Sequence, residues 1–217
     1  MTGSPRLSAF QHEVAHTFFA LPQARGFLLA GGAALSAAGA VQRETDDLDF
    51  FAPRGSIEVS LTKDAFIAAC QARGWTAEVV IDSVEFVRLI VSDGSNDLPV
   101  DMGVDSDRLL PPIVTVLGPT ISVEENAGRK TLALFGRWMP RDFVDVYTLA
   151  GIFGKERLLT LAQERDYGFD VEFFAQALDQ VTRINPERFP IAADHVPGLI
   201  EFFTTWAAEL HQSRPLQ

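Results

Sequence analysis

The sequence predicts an α+β protein whose first half contains a mixed sheet and whose second half is all helical. In the first half, short extended segments with alternating apolar residues lie between stretches with helical spacing. From Val123 onward, one helical pattern follows another. The breaks between these helices fall at residues that end helices: Pro140, Gly154, Gly168 and Asn185-Pro186. We therefore predict a core domain over residues 1–120 and a helical domain over residues 121–217.

The first predicted elements alternate between helix and strand. Residues 7–21 place apolar side chains at helical spacing, and Pro22 ends this pattern. A short apolar strand over residues 26–30 leads into a glycine turn and an alanine-rich helix. The segment DDLDFFAP alternates acidic and apolar residues, which predicts a strand with one polar face. Another helix is predicted over residues 62–73.

Three extended segments follow, and turn residues separate them. The segments are TAEVVI, EFVRLIVS and LPVDMGV, with hairpin turns predicted at Asp82-Ser83 and within SDGSND. A last short strand, IVTVL, comes after Pro111-Pro112. The final helix of the chain is predicted to begin near Pro197.

The composition is that of a globular cytoplasmic protein. The chain has 217 residues, of which 47% are hydrophobic, so it can bury a core. It has no run of about 18 apolar residues, and its first residues do not resemble a secretory signal, so we expect no membrane association and no export. The single cysteine, Cys70, excludes an internal disulfide and a thiolate zinc cluster.

The net charge of −11 constrains the partners. Non-specific nucleic-acid binding usually requires a positively charged surface that displaces counterions from the phosphates. Any nucleic acid or nucleotide must therefore be bound through a local basic patch or through bound cations.

The acidic pair Asp47 and Asp49 is the first candidate for chemistry. Residues two apart in a strand point to the same face, and two parallel carboxylates repel each other unless a cation lies between them. Mg²⁺ suits this position, because one or two carboxylates and substrate phosphate oxygens commonly bind it. The pair Gly31-Gly32 precedes a helix, whose backbone N–H groups could bind a phosphate. Each signal alone is weak, because both patterns are common in proteins without catalytic function.

Two segments carry a family resemblance. FLLAGGAALSAAGAVQRETDDLDFF resembles the opening motif of AbiEii-type nucleotidyltransferase toxins, a family that includes the mycobacterial MenT group. That motif is a glycine pair, a helix and Arg-x-Ser/Thr-x-Asp-hydrophobic-Asp, and its residues here are Gly31, Gly32, Arg43, Thr45, Asp47 and Asp49. RKTLALFGRWMPRDFVDVYTLA resembles the family's Lys…Arg…Arg-Asp-x-x-Asp-aromatic helix pair. It supplies Lys130, Arg137, Arg141, Asp142 and Asp145, with Tyr147 behind.

The resemblance implies a polymerase-β-like nucleotidyltransferase core followed by a helical C-terminal portion. It implies that Asp47 and Asp49 bind Mg²⁺ or Mn²⁺ and that a nucleoside triphosphate (NTP) is the substrate. The nucleotide contacts that it implies are Gly31, Gly32, Ala33, Thr45, Lys130 and Arg137. Members of the family are toxins of toxin–antitoxin pairs, and some extend the 3′ end of tRNA and block translation. The expected partners are therefore an NTP, tRNA or another RNA, and a cognate antitoxin.

One residue departs from the family pattern. The family usually carries Ser or Thr directly after the glycine pair, where its hydroxyl helps to hold a phosphate. Ala33 occupies this place. Backbone amides remain available for a phosphate, but the substitution puts the triphosphate affinity and the substrate choice in question.

The charged residues of the second segment allow two interpretations. Lys130 and Arg137 could neutralise the triphosphate, or they could belong to a solvated helix face. One of the two carboxylates, Asp142 or Asp145, could act as a base or orient Lys130. Alternatively, Asp142 could stabilise the N-terminus of the helix after Pro140, and Asp145 could be buried and paired with Arg141 or Arg137.

A third carboxylate of the reaction centre is predicted on the strand LPVDMGV. Transferases with a polymerase-like fold commonly take a carboxylate from such a strand to activate the attacking hydroxyl. Asp101 is our candidate, and Asp97 and Asp105 are close rivals.

The predicted function is a metal-dependent nucleotidyltransferase toxin that modifies RNA, with the tRNA 3′ end as its acceptor. Asp47, Asp49, Lys130, Asp142, Asp145 and Asp101 are its candidate catalytic residues. One alternative is transfer to a small molecule such as an aminoglycoside, which would suit the acidic charge, or to a protein. A basic patch of Arg129, Lys130, Arg137 and Arg141 would favour RNA instead. Another alternative is a binding protein whose active site is degenerate at Ala33.

Overall fold

Strands and helices alternate up to Val123 in the computed structural model, which describes residues 7–212, and only helices follow. Within the described residues, the chain forms seven strands and eight α-helices. It divides into two compact units between Val123 and Glu124. The predicted α+β class with a mixed sheet and a helical C-terminal part is confirmed.

The first unit contains the sheet and the first helices. Ser8 begins α1 with a capping box, in which its hydroxyl accepts the Gln11 N–H and the Gln11 side chain accepts the Ser8 N–H. The elements are α1 (Ala9–Phe19), β1 (Leu28–Ala30), α2 (Gly31–Ala37), β2 (Leu48–Pro53), α3 (Val59–Ala72), β3 (Thr76–Asp82), β4 (Phe86–Ser92), β5 (Asp97–Asp105), β6 (Ile113–Thr115) and β7 (Gly118–Thr120).

Two details differ from the sequence prediction. The strand β7 was not predicted, because Gly118 and Pro119 belong to the residue types that strands disfavour. The glycine pair does not form a turn ahead of a helix, since Gly31 and Gly32 are the first two residues of α2. Gly31 has φ +65°, a left-handed value that lets the chain change direction between β1 and α2 without a loop.

The strands form one mixed sheet in the order β3-β4-β5-β2-β1-β7-β6. The neighbours β2 and β5 are parallel, as are β1 and β7, and the other neighbours are antiparallel. The predicted hairpins β3–β4 and β4–β5 are both present. A register shift between Val79 and Ile81 of β3 leaves Ile81 opposite Arg88 of β4.

The two faces of the sheet differ in chemistry. Along β2, the buried residues Leu48 and Phe50 alternate with half-buried Asp49 and Phe51, as the sequence predicted. The registers of β4 and β5 place Asp101 and Arg88 on the same face as Asp49. We call this side the carboxylate face. The opposite side forms the hydrophobic core with α1 and α3.

Aromatic side chains fill the centre of this core. The ring of Phe18 from α1 stacks on Phe50 of β2, with centroids 4.0 Å apart. Phe27 and Phe66 meet the same ring edge-on. The lone Cys70 is buried in this core, and its burial raises the pKa of the thiol to about 11.

The second unit is built from helices. Phe143 and Phe203 are fully buried and meet edge-on, and Phe203 stacks on Trp206. The predicted breaks at Pro140, Gly154, Gly168 and Asn185-Pro186 all lie at or between helix ends. The α-helices are α4 (Val123–Arg137), α5 (Pro140–Phe153), α6 (Lys155–Arg165), α7 (Val171–Asp179) and α8 (Val196–Gln212).

None of the helices within residues 7–212 combines the length and the apolar character that crossing a membrane requires.

Replacing Phe18 by alanine should remove the central ring of the first core. We expect Phe18→Ala to lower the free energy of unfolding by about 3–5 kcal/mol, the usual cost of removing a buried phenylalanine ring. Urea unfolding followed by circular dichroism measures this loss. Val84→Ala is the control, because Val84 is 91% exposed and its truncation should change stability by less than about 0.5 kcal/mol. Equal effects of the two variants would contradict this description of the core.

Candidate active site

The two candidate metal ligands lie at the start of β2. Asp49 is the second residue of this strand, and Asp47 directly precedes it. Both side chains are half-buried. The Thr45 hydroxyl donates to Asp47 Oδ1 over 3.0 Å, which restricts the orientation of this carboxylate. The Thr45 hydroxyl of the motif therefore orients a carboxylate of the candidate site.

Close packing against residues 43–49, which we call the acidic segment, explains why residues 31 and 32 are glycines. A Cβ atom at Gly31 would collide with the Asp49 carboxylate, so the carboxylate lies over the first residue of α2. A Cβ atom at Gly32 would lie 2.7 Å from the Thr45 hydroxyl and 2.9 Å from Arg43 Nη2. Larger residues at either position would displace the acidic segment. A carboxylate beside a helix N-terminus is also favoured by the helix dipole.

Ala33 has a structural explanation in this chain. Its side chain is completely buried and belongs to the hydrophobic core of the first unit. A hydroxyl at this place would have to find a hydrogen-bond partner inside an apolar environment. The methyl group therefore suits the core here, and only the backbone of Ala33 remains for a ligand.

Two residues outside the predicted site, Gln11 and Arg43, support the acidic segment. Gln11 of α1 is 4% exposed and donates through Nε2 to the Thr45 carbonyl over 2.7 Å. Arg43 is 6% exposed and donates through Nη1 to the Glu44 carbonyl over 2.8 Å. The family motif indicated Arg43. Gln11 had no local signal, since its partner lies 34 residues away in the chain.

Asp101 lies beside Asp49, but an arginine engages its carboxylate. In the parallel pair of β2 and β5, Asp49 is opposite Asp101, and in the antiparallel pair of β5 and β4, Asp101 is opposite Arg88. Arg88 Nε donates to Asp101 Oδ1 over 2.6 Å, and Nη2 donates to Oδ2 over 2.5 Å. The hydrogen bond to Asp101 raises the pKa of Arg88, and the charges of Asp101, Asp49 and Asp47 add to this shift.

The rival carboxylates lie farther along the same strand. Asp97 and Asp105 are the first and last residues of β5, whereas Asp101 is in the middle and opposite Asp49. Arg88 was not singled out from the sequence. Its signal was the alternation in EFVRLIVS, which places a charged residue on the same face as Phe86 and Ile90.

The acidic pair fits a metal that the substrate helps to coordinate. Among residues 7–212, no three His, Cys, Asp or Glu side chains are grouped as ligands of one ion. Asp47 and Asp49 are two residues apart at the start of β2, and Asp101 lies opposite Asp49 with both its oxygens in contact with Arg88. Mg²⁺ is commonly bound by one or two carboxylates together with substrate phosphates and water. The donor set therefore fits Mg²⁺ or Mn²⁺ held jointly with a triphosphate.

In the second unit, Lys130 forms a buried ion pair. Its Nζ lies 2.8 Å from Asp145 Oδ2, and the side chains are 9% and 0% exposed. The pair joins α4 to α5. The carboxylate that contacts Lys130 is therefore that of Asp145. A buried ammonium group that is held at a fixed position can bind a phosphate. Removing its carboxylate partner would destabilise the fold, because the ammonium charge would then be buried without compensation.

Asp142 forms a second pair between the same two helices. Arg137 donates to both Asp142 oxygens, through Nε over 2.8 Å and through Nη2 over 2.9 Å. Asp142 is fully buried, while the Arg137 side chain is 49% exposed. Trp138 follows Arg137 with φ +39°, a left-handed value that is unusual for a bulky residue. The turn between α4 and α5 is therefore strained beside this pair.

Three of the four residues of the predicted basic patch contact carboxylates. Lys130 and Arg137 contact Asp145 and Asp142, and Arg129 Nη2 lies 3.4 Å from Glu125 Oε1. Burial lowers the pKa of Arg129 to about 9, and the nearby Arg165 contributes to the shift. These residues do not form an excess of exposed positive charge.

The predicted site residues thus fall into two groups, one in each unit. The structure brings together Gly31, Gly32, Thr45, Asp47, Asp49 and Asp101 in the first unit. It brings together Lys130, Arg137, Asp142 and Asp145 in the second unit.

Comparisons with known proteins agree with this architecture. The family model described as nucleotidyl transferase AbiEii toxin, type IV toxin–antitoxin system, matches residues 15–194. No curated protein matches the sequence significantly. The crystal structure of JHP933 from Helicobacter pylori has a TM-score of 0.59 at 16% identity, covering 95% of each chain.

A second similar structure is MenT4, a nucleotidyltransferase toxin from Mycobacterium tuberculosis H37Rv. Its TM-score is 0.54 at 14% identity, and the alignment covers 94% of this chain and 84% of that chain. At this identity the two structures establish the fold. The family model covers most of the chain, including both groups of candidate residues. The chain therefore belongs to the AbiEii family of nucleotidyltransferase toxins.

Proposed function

We propose that this nucleotidyltransferase transfers a nucleotide from an NTP to RNA, with the 3′ end of tRNA as its acceptor, and thereby blocks translation. The proposal includes a dependence on Mg²⁺ or Mn²⁺, a cytoplasmic location and a cognate antitoxin that neutralises the protein. The observation that supports it most is the pair Asp47 and Asp49 beside the start of α2, in a chain of this family.

The residues of the first unit would bind and orient the triphosphate. Bound Mg²⁺ would supply positive charge to the phosphate oxygens. Asp47 and Asp49 would hold the ion, and the hydroxyl of Thr45 would keep Asp47 in its orientation. The backbone N–H groups of Gly32 and Ala33 would bind phosphate at the start of α2.

The residues of the second unit would contribute positive charge. Lys130 is proposed to contact the triphosphate, and Asp145 would fix its ammonium group. Arg137 is proposed to bind the nucleotide, and Asp142 would hold its guanidinium in position through two hydrogen bonds. In this interpretation Asp142 and Asp145 position the cations. They do not themselves move protons.

A small cationic acceptor is the second candidate, and a cavity in the first unit favours it. The cavity has a volume of about 460 Å³ and is lined by Glu44, Asp46 and Asp97 as well as Thr45. Its acidic walls and the net charge of −11 would attract a polyamine or an aminoglycoside. Offering tRNA and an aminoglycoside separately as acceptors distinguishes the two candidates.

Removing the metal ligands should abolish transfer. We expect the wild-type chain to incorporate label from at least one radiolabelled NTP into tRNA with Mg²⁺ present. Asp47→Ala and Asp49→Ala should each lower the rate by at least about a hundredfold, since they remove the charge that stabilises the reacting phosphates.

The control for this experiment is Asp64→Ala on α3, whose side chain is 70% exposed. This variant should retain full activity. An absence of transfer to tRNA in the wild type, with Asp49→Ala behaving identically, would disprove the proposal.

The pair Lys130 and Asp145 allows stability and activity to be separated. Lys130→Met should lower the free energy of unfolding by about 3–5 kcal/mol, because it removes one partner of a buried ion pair. Lys130→Met with Asp145→Leu should recover most of this loss, since an apolar pair can replace a buried ion pair. Urea unfolding and the labelling assay are run on both variants.

The doubly substituted chain should fold but fail to transfer nucleotide, because Lys130 is proposed to contact the triphosphate. Lys155→Met is the control, since Lys155 is a half-buried lysine outside both groups and pairs with Glu209, whose side chain is 53% exposed; loss of this pair should cost less than about 1 kcal/mol. Restored transfer in the double variant would show that Lys130 serves stability alone.

A further inference from the structure

Four residues form a row across the carboxylate face. The strand registers place Ala30 opposite Asp49, Asp49 opposite Asp101, and Asp101 opposite Arg88. The row has two distinct ends. At one end, Ala30 leads directly into α2, and at the other end lies the guanidinium of Arg88. Asp49 is therefore flanked by a helix start on one side and by an Asp101–Arg88 pair on the other.

The Asp101–Arg88 pair presents a cation in a fixed orientation. The Nε–Nη2 edge of the guanidinium faces Asp101, so its Nη1 edge faces away from that carboxylate. The Asp101 side chain is 8% exposed, but the Arg88 side chain is 43% exposed. A buried carboxylate thus holds an accessible guanidinium beside the acidic pair. Such a planar fork binds phosphate oxygens well.

The in-line geometry of the reaction indicates whether Arg88 would contact a phosphate of the NTP or a phosphate of the acceptor. In phosphoryl transfer, the attacking and leaving oxygens lie roughly in line on opposite sides of the phosphorus. If the leaving pyrophosphate lies at the start of α2, the acceptor must approach from the opposite flank of Asp49. That flank carries Asp101 and Arg88. This step rests on the proposed function.

We propose that Arg88 binds a phosphate of the acceptor next to the attacking hydroxyl, and that Asp101 is the positioning residue that orients Arg88. The acceptor is then a nucleic acid with a phosphodiester close to its terminal hydroxyl. A cationic small molecule without a phosphate would offer Arg88 no group to bind. In this inference Asp101 acts by orienting Arg88, through the two hydrogen bonds that its oxygens accept from the guanidinium.

Binding measurements without turnover test this assignment. A short fluorescein-labelled single-stranded RNA with a free 3′ hydroxyl is titrated with the full chain, with Ca²⁺ in place of Mg²⁺, and anisotropy is recorded at several salt concentrations. Filter binding of each radiolabelled NTP is measured in parallel. Arg88→Met should weaken RNA binding about tenfold, as expected for one charge-assisted contact, and leave NTP binding unchanged.

The salt dependence separates a phosphate contact from a structural effect. Loss of one phosphate contact should lower the slope of log K against log salt by about 0.7 for a single strand. Arg54→Met is the matched control, because Arg54 is 70% exposed and pairs with Glu85 away from the row. Equal weakening by the two variants, or weaker NTP binding in place of weaker RNA binding, would overturn the acceptor assignment.

Asp101→Asn tests the positioning role. It should weaken RNA binding as Arg88→Met does, while the affinity for Mn²⁺, measured by electron paramagnetic resonance, stays unchanged. A tenfold loss of Mn²⁺ affinity with unchanged RNA binding would identify Asp101 as a metal ligand and overturn the proposal.

If Arg88→Met does not fold, Arg88→Lys carries the test. Lysine keeps the charge but cannot form the two-point contact with Asp101, so we expect a smaller loss of RNA affinity and an unchanged salt slope. Unchanged RNA affinity in a folded Arg88→Lys chain would count against the oriented contact. A different outcome is that Arg88→Met weakens RNA binding but the wild-type chain transfers no nucleotide. That outcome would refute the proposed function and leave the binding assignment unchanged.

Discussion

The site depends on the contact between the Asp49 carboxylate and Gly31. A side chain at residue 31 would occupy the place of this carboxylate, and the left-handed backbone of Gly31 is one that other residues rarely adopt. Because Gly31 adopts this left-handed backbone, β1 continues into α2 without a loop. The acidic side chain of one strand is thereby brought onto the first turn of a helix. Gly31 is therefore required for the placement of the Asp49 carboxylate, independently of any ligand.

Most carboxylates of the two groups have a defined polar neighbour. Thr45 donates to Asp47, Arg88 engages Asp101, and Lys130 contacts Asp145. Carboxylates placed close together repel each other, and burial adds a desolvation cost, so such groups are stable only with donors or cations at hand. The protein supplies these partners itself. The same contacts fix the side chains in the orientations in which a substrate would meet them.

Local sequence patterns predicted most of the fold but only part of the candidate site. The alternation of Leu48 and Phe50 with acidic residues predicted the polar face of β2, and helix-ending residues predicted the breaks in the second half. By contrast, the partners of Asp101 and Asp145 depend on which strands and helices become neighbours. Arg88 lies 13 residues from Asp101, and no spacing rule links the two before the register is known. The sequence did not predict β7, because its residues are unfavourable for a strand and only the pairing with β1 stabilises it as one.

The acidic charge of the chain and a nucleic-acid acceptor are compatible on electrostatic grounds. A net charge of −11 acts over long distances, where salt screens it, whereas phosphate recognition takes place within a few ångströms of a cation. Arg129, Lys130 and Arg137 each contact a carboxylate, so they do not create a broad basic surface. A chain built in this way would bind RNA weakly at most sites and would depend on a few oriented contacts near the reacting end. Such a distribution favours recognition of a terminus over recognition of a long duplex, because most of the affinity then comes from the place where the chemistry occurs.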